Sequence, residues 1–353
     1  MTIPRPAGAR LTIDHDALAH NYGVLTQASA PAKVAPVLKA DGYGLGAAPL
    51  ARRLWAEGAR SFFVARLGEG EALRAALPDR SAEILVLDGV NEASRDRMAA
   101  AHLTPVLSTL EQAQAWGRRP AALHVDTGMN RLGVTLDEAW GIADSADIRL
   151  VMSHLGNAAD PADPRNGDQL ARFRAARDLF PKASASLAAS AGIFLGPDYA
   201  FDLTRPGISL FGGGPREVPD DRLRAVATLE APILQLRDLK PGDRVGYGSM
   251  FQASHAMRIA VVEAGYADGI LRGSHANGAG YLDGVRTPFV IVSMDLIAVD
   301  VSDCPSAKVG DRVELLGANA LLDDLAIAAG SVAHECLVRL STRAVRIYVG
   351  DAG

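Results

Sequence analysis
Residues 33–64 read KVAPVLKADGYGLGAAPLARRLWAEGARSFFV. An apolar run at 33–38 ends in a glycine-rich turn, an amphipathic stretch covers 47–58, and a second apolar run follows at 61–64. Strand, helix and strand in that order make one βα unit. The same grammar continues through apolar runs at 83–87, 103–107, 121–125, 148–152, 183–188 and 201–203, with helical stretches at 69–76, 93–101, 136–143 and 169–179. Leu18, Tyr22 and Leu25 set a helical stripe ahead of the first run. Eight strands, most of them followed by a helix, predict an α/β chain that opens with a (β/α)8 TIM-type barrel. A doubly wound open sheet is the alternative. It needs fewer strands and a glycine-rich first turn, and no early glycines here form GxGxxG.

The grammar changes after about Pro219. Apolar runs at 233–236, 257–262, 289–292 and 312–315 are separated by Pro241-Gly242-Asp243, Leu282-Asp283-Gly284 and Val309-Gly310-Asp311, all turn sequences. This predicts a mostly β C-terminal domain, a small barrel or sandwich, with one helix near 321–329. The expected division is a barrel over 1–222 and a β domain over 223–353. Two domains suit a chain of 353 residues. A net charge of −5 leaves no basic excess for a nucleic-acid backbone. No apolar run approaches the ~20 residues of a membrane span. The N-terminal residues 1–5 lack the charged-then-apolar order of a signal peptide. Two cysteines, Cys304 and Cys336, make no disulfide framework, so the expected compartment is the cytoplasm.

A barrel of this type builds its chemistry where strands end. Lys39 ends the first strand, Asp126 to Gly133 follow the fifth, and Ser153-His154 end the sixth. Ser190 follows the seventh and Arg205-Pro206-Gly207-Ile208 the eighth. Lys39 is one of only five lysines. A lysine ending a buried strand either snorkels to solvent or is paired, shifted in pKa or used covalently, as in a Schiff base. Ser190 and the amides of Gly207 and Ile208 lie where barrels bind phosphate. A lysine beside a phosphate site suggests pyridoxal phosphate.

Six ordered blocks carry a resemblance. They are Val37-Leu38-Lys39-Ala40-Asp41-Gly42-Tyr43-Gly44, the stretch from Val125 to Gly133, Met152-Ser153-His154-Leu155, the stretch from Arg205 to Gly212, Gly265-Tyr266-Ala267-Asp268-Gly269, and Ser293-Met294-Asp295. With them the chain, from about Arg10 to Tyr348, resembles alanine racemase, a fold-type III family that uses pyridoxal phosphate. The resemblance implies two bases, Lys39 for D-alanine and Tyr266 for L-alanine, with Lys39 also the Schiff-base lysine. It implies that Arg205 donates to the pyridine nitrogen and that His154 joins Arg205 in a hydrogen-bonded chain toward Tyr266. It implies that Tyr43, Ser190, Gly207, Ile208 and Tyr348 cradle the phosphate, and that Arg131 and the Met294 backbone meet the substrate carboxylate. It also implies a homodimer whose two active sites are shared between subunits, and a role supplying D-alanine for peptidoglycan or for catabolism. No metal, nucleic acid or membrane enters this chemistry.

Several positions depart from the family pattern. His124 stands where a carbamylated lysine often orients the nearby arginine, so Arg131 is expected to be held by His124, a water or an anion. Ala189 replaces an asparagine, Ser293 a cysteine, Val290-Ile291 a Gly-Arg pair, Gly156-Asn157 a small apolar pair and His334 an aromatic residue. These put substrate preference and turnover in question more than reaction type. A racemase of another small amino acid such as serine, a decarboxylase of the same fold type and a non-catalytic pyridoxal-phosphate-binding relative are the competing readings. The second expects a cysteine motif that the settings of Cys304 and Cys336 do not supply, and the third expects no β domain.

Overall fold
The structure, a computed structural model, describes residues 8–77, 79–143 and 146–351. The leader reading at residues 1–5 lies outside them. Strand β1 (Arg10–Asp14) opens the described chain, and helix His15–Ser29 follows with Leu18, Tyr22 and Leu25 buried along one face. The chain divides into two compact units, one formed by 18–210 with 214–216 and the other by 8–17, 211–213 and 217–351.

The first unit contains β2 (Lys33–Val34), β3 (Ser61–Val64), β4 (Glu83–Val86), β5 (Thr104–Leu107), β6 (Pro120–His124), β7 (Asp147–Met152), β8 (Ser184–Ser186) and β9 (Leu203–Thr204). Strands β3 to β8 form one six-stranded sheet in sequence order, and every neighbouring pair is parallel. Helices Ala47–Ala56, Leu67–Ala76, Glu92–Ala100, Leu110–Trp116, Leu136–Ile142 and Arg165–Asp178 alternate with them. Phe62, Phe63, Val64, Ile84, Leu85 and Val86 are wholly buried. Such continuous apolar runs belong to parallel strands covered on both faces. The expected first and eighth strands are cut to two residues each and pair in parallel with one another, apart from the six. Pro36 and Pro206 lack an N–H, which shortens a regular ladder at both places. Single parallel bridges join Val37 to Phe63 and Ala189 to Arg205. The helix Leu110–Trp116, capped by Thr109 Oγ1 accepting the Gln112 N–H at 3.2 Å, was not expected from the sequence.

The second unit holds β1, β10 (Ala227–Leu239), β11 (Arg244–Val245), β12 (Phe251–Gln252), β13 (Met257–Val262), β14 (Ala279–Leu282), β15 (Val285–Val292), β16 (Ile297–Asp300), β17 (Arg312–Leu316) and β18 (Val345–Val349). Strands β13, β16, β15, β14, β17 and β10 follow one another around a ring, and β10 pairs with β13 to close it. β10 reaches this by spanning 13 residues and shifting register twice, at Leu229/Glu230 and at Ile233/Gln235, on either side of Pro232. Strands β1 and β18 extend the sheet from β10. Asp283 and Gly284 both take positive φ, 51° and 80°, and close the β14–β15 hairpin. Positive φ at both central positions matches the strand twist. Helix Leu322–Ala329 lies where expected, and Ala333–Val338 is an additional one. Val290, at one of the departures from the family pattern, packs with Met257, Ile259 and Ala298 in an apolar cluster. The change from a polar pair therefore fills core.

Among the described residues no helix is long and apolar enough to cross a membrane.

Candidate active site
Lys39 sits directly after the segment whose Val37 bridges Phe63. The next four residues turn left-handed, with φ of 54° at Ala40, 53° at Asp41, 62° at Gly42 and 55° at Tyr43. A residue with a Cβ loses roughly 1–2 kcal/mol in this conformation, so the surroundings must over-determine it. Inside the turn, the Gly42 N–H donates to the Leu38 carbonyl at 2.9 Å and the Gly44 N–H to the Ala40 carbonyl at 2.8 Å. Asp41 Oδ1 accepts the Ala47 N–H at 2.7 Å, which caps the next helix. Glu69 Oε1 accepts the Ala40 N–H at 2.8 Å. A Cβ added to Gly42 would lie 2.7 Å from Leu50 Cδ1, so this position needs glycine. The turn leaves Lys39 at the strand end and sends Tyr43 inward.

Tyr43 is buried, and burial raises its phenol pKa, keeping the hydroxyl protonated. Its Oη lies over Gly207, where an added Cβ would come within 2.1 Å of it. Ser190 Oγ accepts the N–H of Gly207 at 3.0 Å and of Ser209 at 3.3 Å. A hydroxyl, a phenol and backbone amides therefore meet around a glycine, where an added Cβ would displace the Tyr43 phenol. This donor set fits a phosphate without any lysine. The sequence-predicted Tyr43, Ser190, Gly207 and Ile208 fall in this region; Tyr348 belongs to the other unit, on β18, with its ring 5.6 Å from that of His15.

Arg205 is buried, and its partners are neutral. It donates to Ser186 Oγ, to the Ser153 carbonyl at 2.5 Å and to the Leu187 carbonyl at 3.4 Å. Its face approaches the Phe63 ring at 5.9 Å. Burial pulls its pKa down to about 9, and the guanidinium stays protonated at neutral pH. Its field then acts on two histidines. Burial first, then Arg205 and Arg131, hold His124 down to about 4; the same causes in the same order, joined by His124 and Lys39, hold His154 down to about 3. Both are neutral at pH 7. Burial and Arg131 also lower Lys39, against the opposing pull of Glu69 and Asp88. Lys39, Arg131, His124, His154 and Arg205 thus share one electrostatic neighbourhood, rich in positive charge and suited to anionic ligands. Arg131 itself is exposed, on a loop tied down by Asp126 Oδ1, which accepts the N–H groups of Gly128, Met129 and Asn130 at 2.8, 2.9 and 3.2 Å.

In the second unit Tyr266 and Met294 stand side by side. The Tyr266 N–H donates to the Ser293 carbonyl at 3.0 Å and the Ala267 N–H to the Met294 carbonyl at 3.0 Å. Gly265 makes the approach possible, since a Cβ there would lie 2.2 Å from the Met294 oxygen. Ser293 Oγ donates to the Leu296 carbonyl at 2.6 Å and tightens the turn that presents Met294. Tyr266 is 41% exposed and Met294 53%.

Sequence reasoning missed the residues that hold these groups. Gln169 joins two loops, accepting the Gly156 N–H at 2.8 Å and donating to the His154 carbonyl at 3.0 Å in one and to Thr127 Oγ1 at 3.2 Å in the other. Thr127 Oγ1 meets Ser153 Oγ at 2.8 Å. Arg343 bridges Asp268, at 3.3 Å, and Asp295, at 2.7 Å. Each lies far in sequence from its partners, and the sequence holds no local signal for such pairings. Burial raises the thiols of both cysteines, Cys336 to about 12, so neither is a ready nucleophile.

Comparison with known proteins adds independent information. Residues 13–215 match the model of the alanine racemase N-terminal domain and residues 226–348 that of the alanine racemase C-terminal domain. The chain is 42% identical to the biosynthetic alanine racemase of Agrobacterium fabrum, over 97% of this chain and 94% of that one. It is 43% identical to the catabolic alanine racemase of Mesorhizobium japonicum, over 98% and 94%. The crystal structure of alanine racemase from Bartonella henselae with covalently bound pyridoxal phosphate superposes with a TM-score of 0.91 at 36% identity, covering 98% of this chain and all of that one.

Proposed function
The chain belongs to the alanine racemase family, and from that premise we infer that its interconversion of L- and D-alanine runs through Lys39 and Tyr266 as the two bases. Racemisation takes a proton from one face of the α-carbon and returns one to the other, which two groups on opposite faces accomplish most simply. Pyridoxal phosphate, when bound, withdraws electrons from the α-carbon and makes its proton removable.

The chain's residues fit that cofactor. Tyr43, Ser190, Gly207 and Ile208, together with Tyr348, would hold its phosphate. Arg205, a cation, would donate to the ring nitrogen and so disfavour a proton there, which would moderate the electron withdrawal and limit side reactions. Arg131 and the Met294 backbone orient the substrate carboxylate. Lys39, its ammonium destabilised by burial and by Arg131, gives up a proton more readily than an exposed lysine. Tyr266 would draw on His154 and Arg205 as a proton relay.

The eight-stranded barrel is our reading of the first unit: the six-stranded sheet, the β2–β9 pair and the bridges at Val37–Phe63 and Ala189–Arg205 support it. A functional boundary at 222/223 leaves Lys39 through Ile208 before it and Tyr266, Met294 and Tyr348 after it. We read the enzyme as a homodimer in which Lys39 faces Tyr266 of the partner subunit, and the exposure of Tyr266 supports this. The reducing cytoplasm is the proposed compartment, supported by two free, buried cysteines. Relatives named for both roles leave D-alanine supply to peptidoglycan and D-alanine catabolism as the two uses.

The observation that supports this reading is the left-handed turn that follows Lys39 and leads to Tyr43, whose Oη lies over Gly207 beside Ser190. The test is an absorbance spectrum with chiral chromatography of L-alanine incubations. Wild type shows a visible band and forms D-alanine. Lys39→Ala loses the band and at least ~10³-fold in turnover; Tyr266→Phe keeps the band and loses ~10²–10⁴-fold. Full turnover in either variant would remove that residue from its role.

A further inference from the structure
The turn after Lys39 is held from outside itself. Its internal hydrogen bonds use the amides of Gly42 and Gly44 and leave that of Ala40, the first residue after the lysine, to another partner. That partner is the carboxylate of Glu69, 29 residues along the chain, at 2.8 Å. The second oxygen of the same carboxylate accepts the N–H groups of Ala65 at 2.8 Å and Arg66 at 3.2 Å, in the loop that follows β3. The Arg66 bond is what a glutamate near the start of the helix Leu67–Ala76 ordinarily makes. The Ala40 bond is not. It ties the loop carrying Lys39 to the neighbouring loop, at a place where three residues with a Cβ sit in a conformation they disfavour.

We propose that Glu69 is a positioning residue for Lys39, its carboxylate clamping the left-handed turn so that the lysine stays at the strand end. The proposal rests on the reading of Lys39 as the cofactor-bearing base. Charge gives it a second consequence. The groups whose charge bears on Lys39 are Arg131, which disfavours its ammonium, and Glu69 and Asp88, which favour it; His154 also feels the lysine and is neutral. A neutral residue at 69 removes part of the support for the ammonium, so Lys39 then loses its proton at lower pH.

The experiment uses the holoenzyme with Glu69→Gln and Glu69→Ala, and Glu71→Gln as control. Glu71 is on the same helix, but its carboxylate pairs with Arg97 at 2.6 Å, away from the turn. At equal cofactor loading, borohydride fixes the lysine–cofactor bond and peptide mass spectrometry counts the fraction on Lys39. Circular dichroism checks the fold, and kcat and KM for L-alanine are measured alongside the pH dependence of kcat. Glu69→Ala is expected to lower the trapped fraction at least threefold and kcat at least ten-fold, with KM changed less than threefold. Glu69→Gln, which retains one acceptor oxygen, is expected to fall between, with its pH profile displaced toward acid. Glu71→Gln is expected to match wild type. Wild-type trapping, kcat and pH profile in both Glu69 variants, with only a lower melting temperature, would reduce Glu69 to a helix cap and overturn the proposal alone. Failure of wild type itself to trap cofactor on Lys39 would overturn the reading of Lys39, and this proposal with it.

Discussion
The two loops that carry the proposed bases are built by opposite means. The Lys39 turn is strained, set beside buried groups and cross-tied by carboxylates, with Tyr43 pressed onto Gly207 and Arg205 buried without a carboxylate partner. The Tyr266 loop exposes the tyrosine itself over buried Gly265 and Asp268, and is held by two backbone hydrogen bonds to the Ser293-Met294 turn, with a half-exposed Arg343 tying Asp268 to Asp295. The first is a socket: donors and cations are fixed in a low-dielectric setting before any ligand arrives, where electrostatic contacts are strongest. The second is an arm, whose tyrosine side chain stands 41% exposed. The socket should therefore respond to changes of a single atom, and the arm should tolerate them.

Gly207→Ala is the sharpest way to break this contrast. The new Cβ would sit 2.1 Å from Tyr43 Oη, so either the ring leaves the cradle or the backbone around Ser190 shifts. Cofactor affinity is expected to fall ~100-fold, about 2.7 kcal/mol, read by titrating pyridoxal phosphate into cofactor-free protein. Tyr43→Phe in the same background removes the clashing oxygen and should recover part of the loss. Equal affinity in Gly207→Ala and wild type would mean the cradle is soft and the contrast false.

Arg343→Ala tests the arm. Asp268 is nearly buried, and burial already raises its pKa while Arg343 lowers it. Without the arginine, the loop joining Tyr266 to Met294 keeps its backbone bonds but loses one tie. The Arg343–Asp295 pair is half-exposed on both sides, and exposed ion pairs are worth ~0–1 kcal/mol. A two- to fivefold loss in kcat/KM is expected, mostly in KM because Met294 would face the carboxylate, with unchanged cofactor affinity. A hundred-fold loss would make the arm as exacting as the socket.

Local grammar made the architecture legible. Runs such as 61–64 and 83–87 are apolar because parallel strands are buried on both faces, and the structure places strands within a residue of them. The shift to Gly, Asp and Pro punctuation after Pro219 likewise marked the β half, though β1, at Arg10–Asp14, joins that half by pairing with β10 and β18 across more than 200 residues, which no local pattern records. The Leu110–Trp116 helix was missed, although the equally short Leu136–Ile142 was read correctly. Lys39, Ser190 and Arg205 were visible because a cation or hydroxyl at a strand end stands out, and Tyr43 through the family resemblance. Their supports were not. Glu69 reads as a helix-start acid and Gln169 as a residue of a helical stretch, and only folding reveals that one reaches back to Ala40 and the other joins two loops.

A further expected effect concerns acid and is read on stability rather than on activity. His124 is buried, and its pKa falls from 6.5 to about 4 through burial, then Arg205 and Arg131. Between those two values the unfolded chain binds a proton that the folded chain refuses. Stability is therefore unaffected by this group above pH 6.5 and declines as pH drops from 6.5 toward 4, by at most about 3 kcal/mol. Urea midpoints of cofactor-free protein measured across pH 7.5 to 4.5 should fall, and His124→Gln should flatten that fall by a measurable part, leaving His154 to supply more of the same sign. An unchanged slope in His124→Gln would mean that the histidine is protonated in the fold, paired with something that outweighs two arginines. It would also bear on what holds Arg131, because a charged His124 repels that side chain whereas a neutral one has a ring nitrogen to offer it.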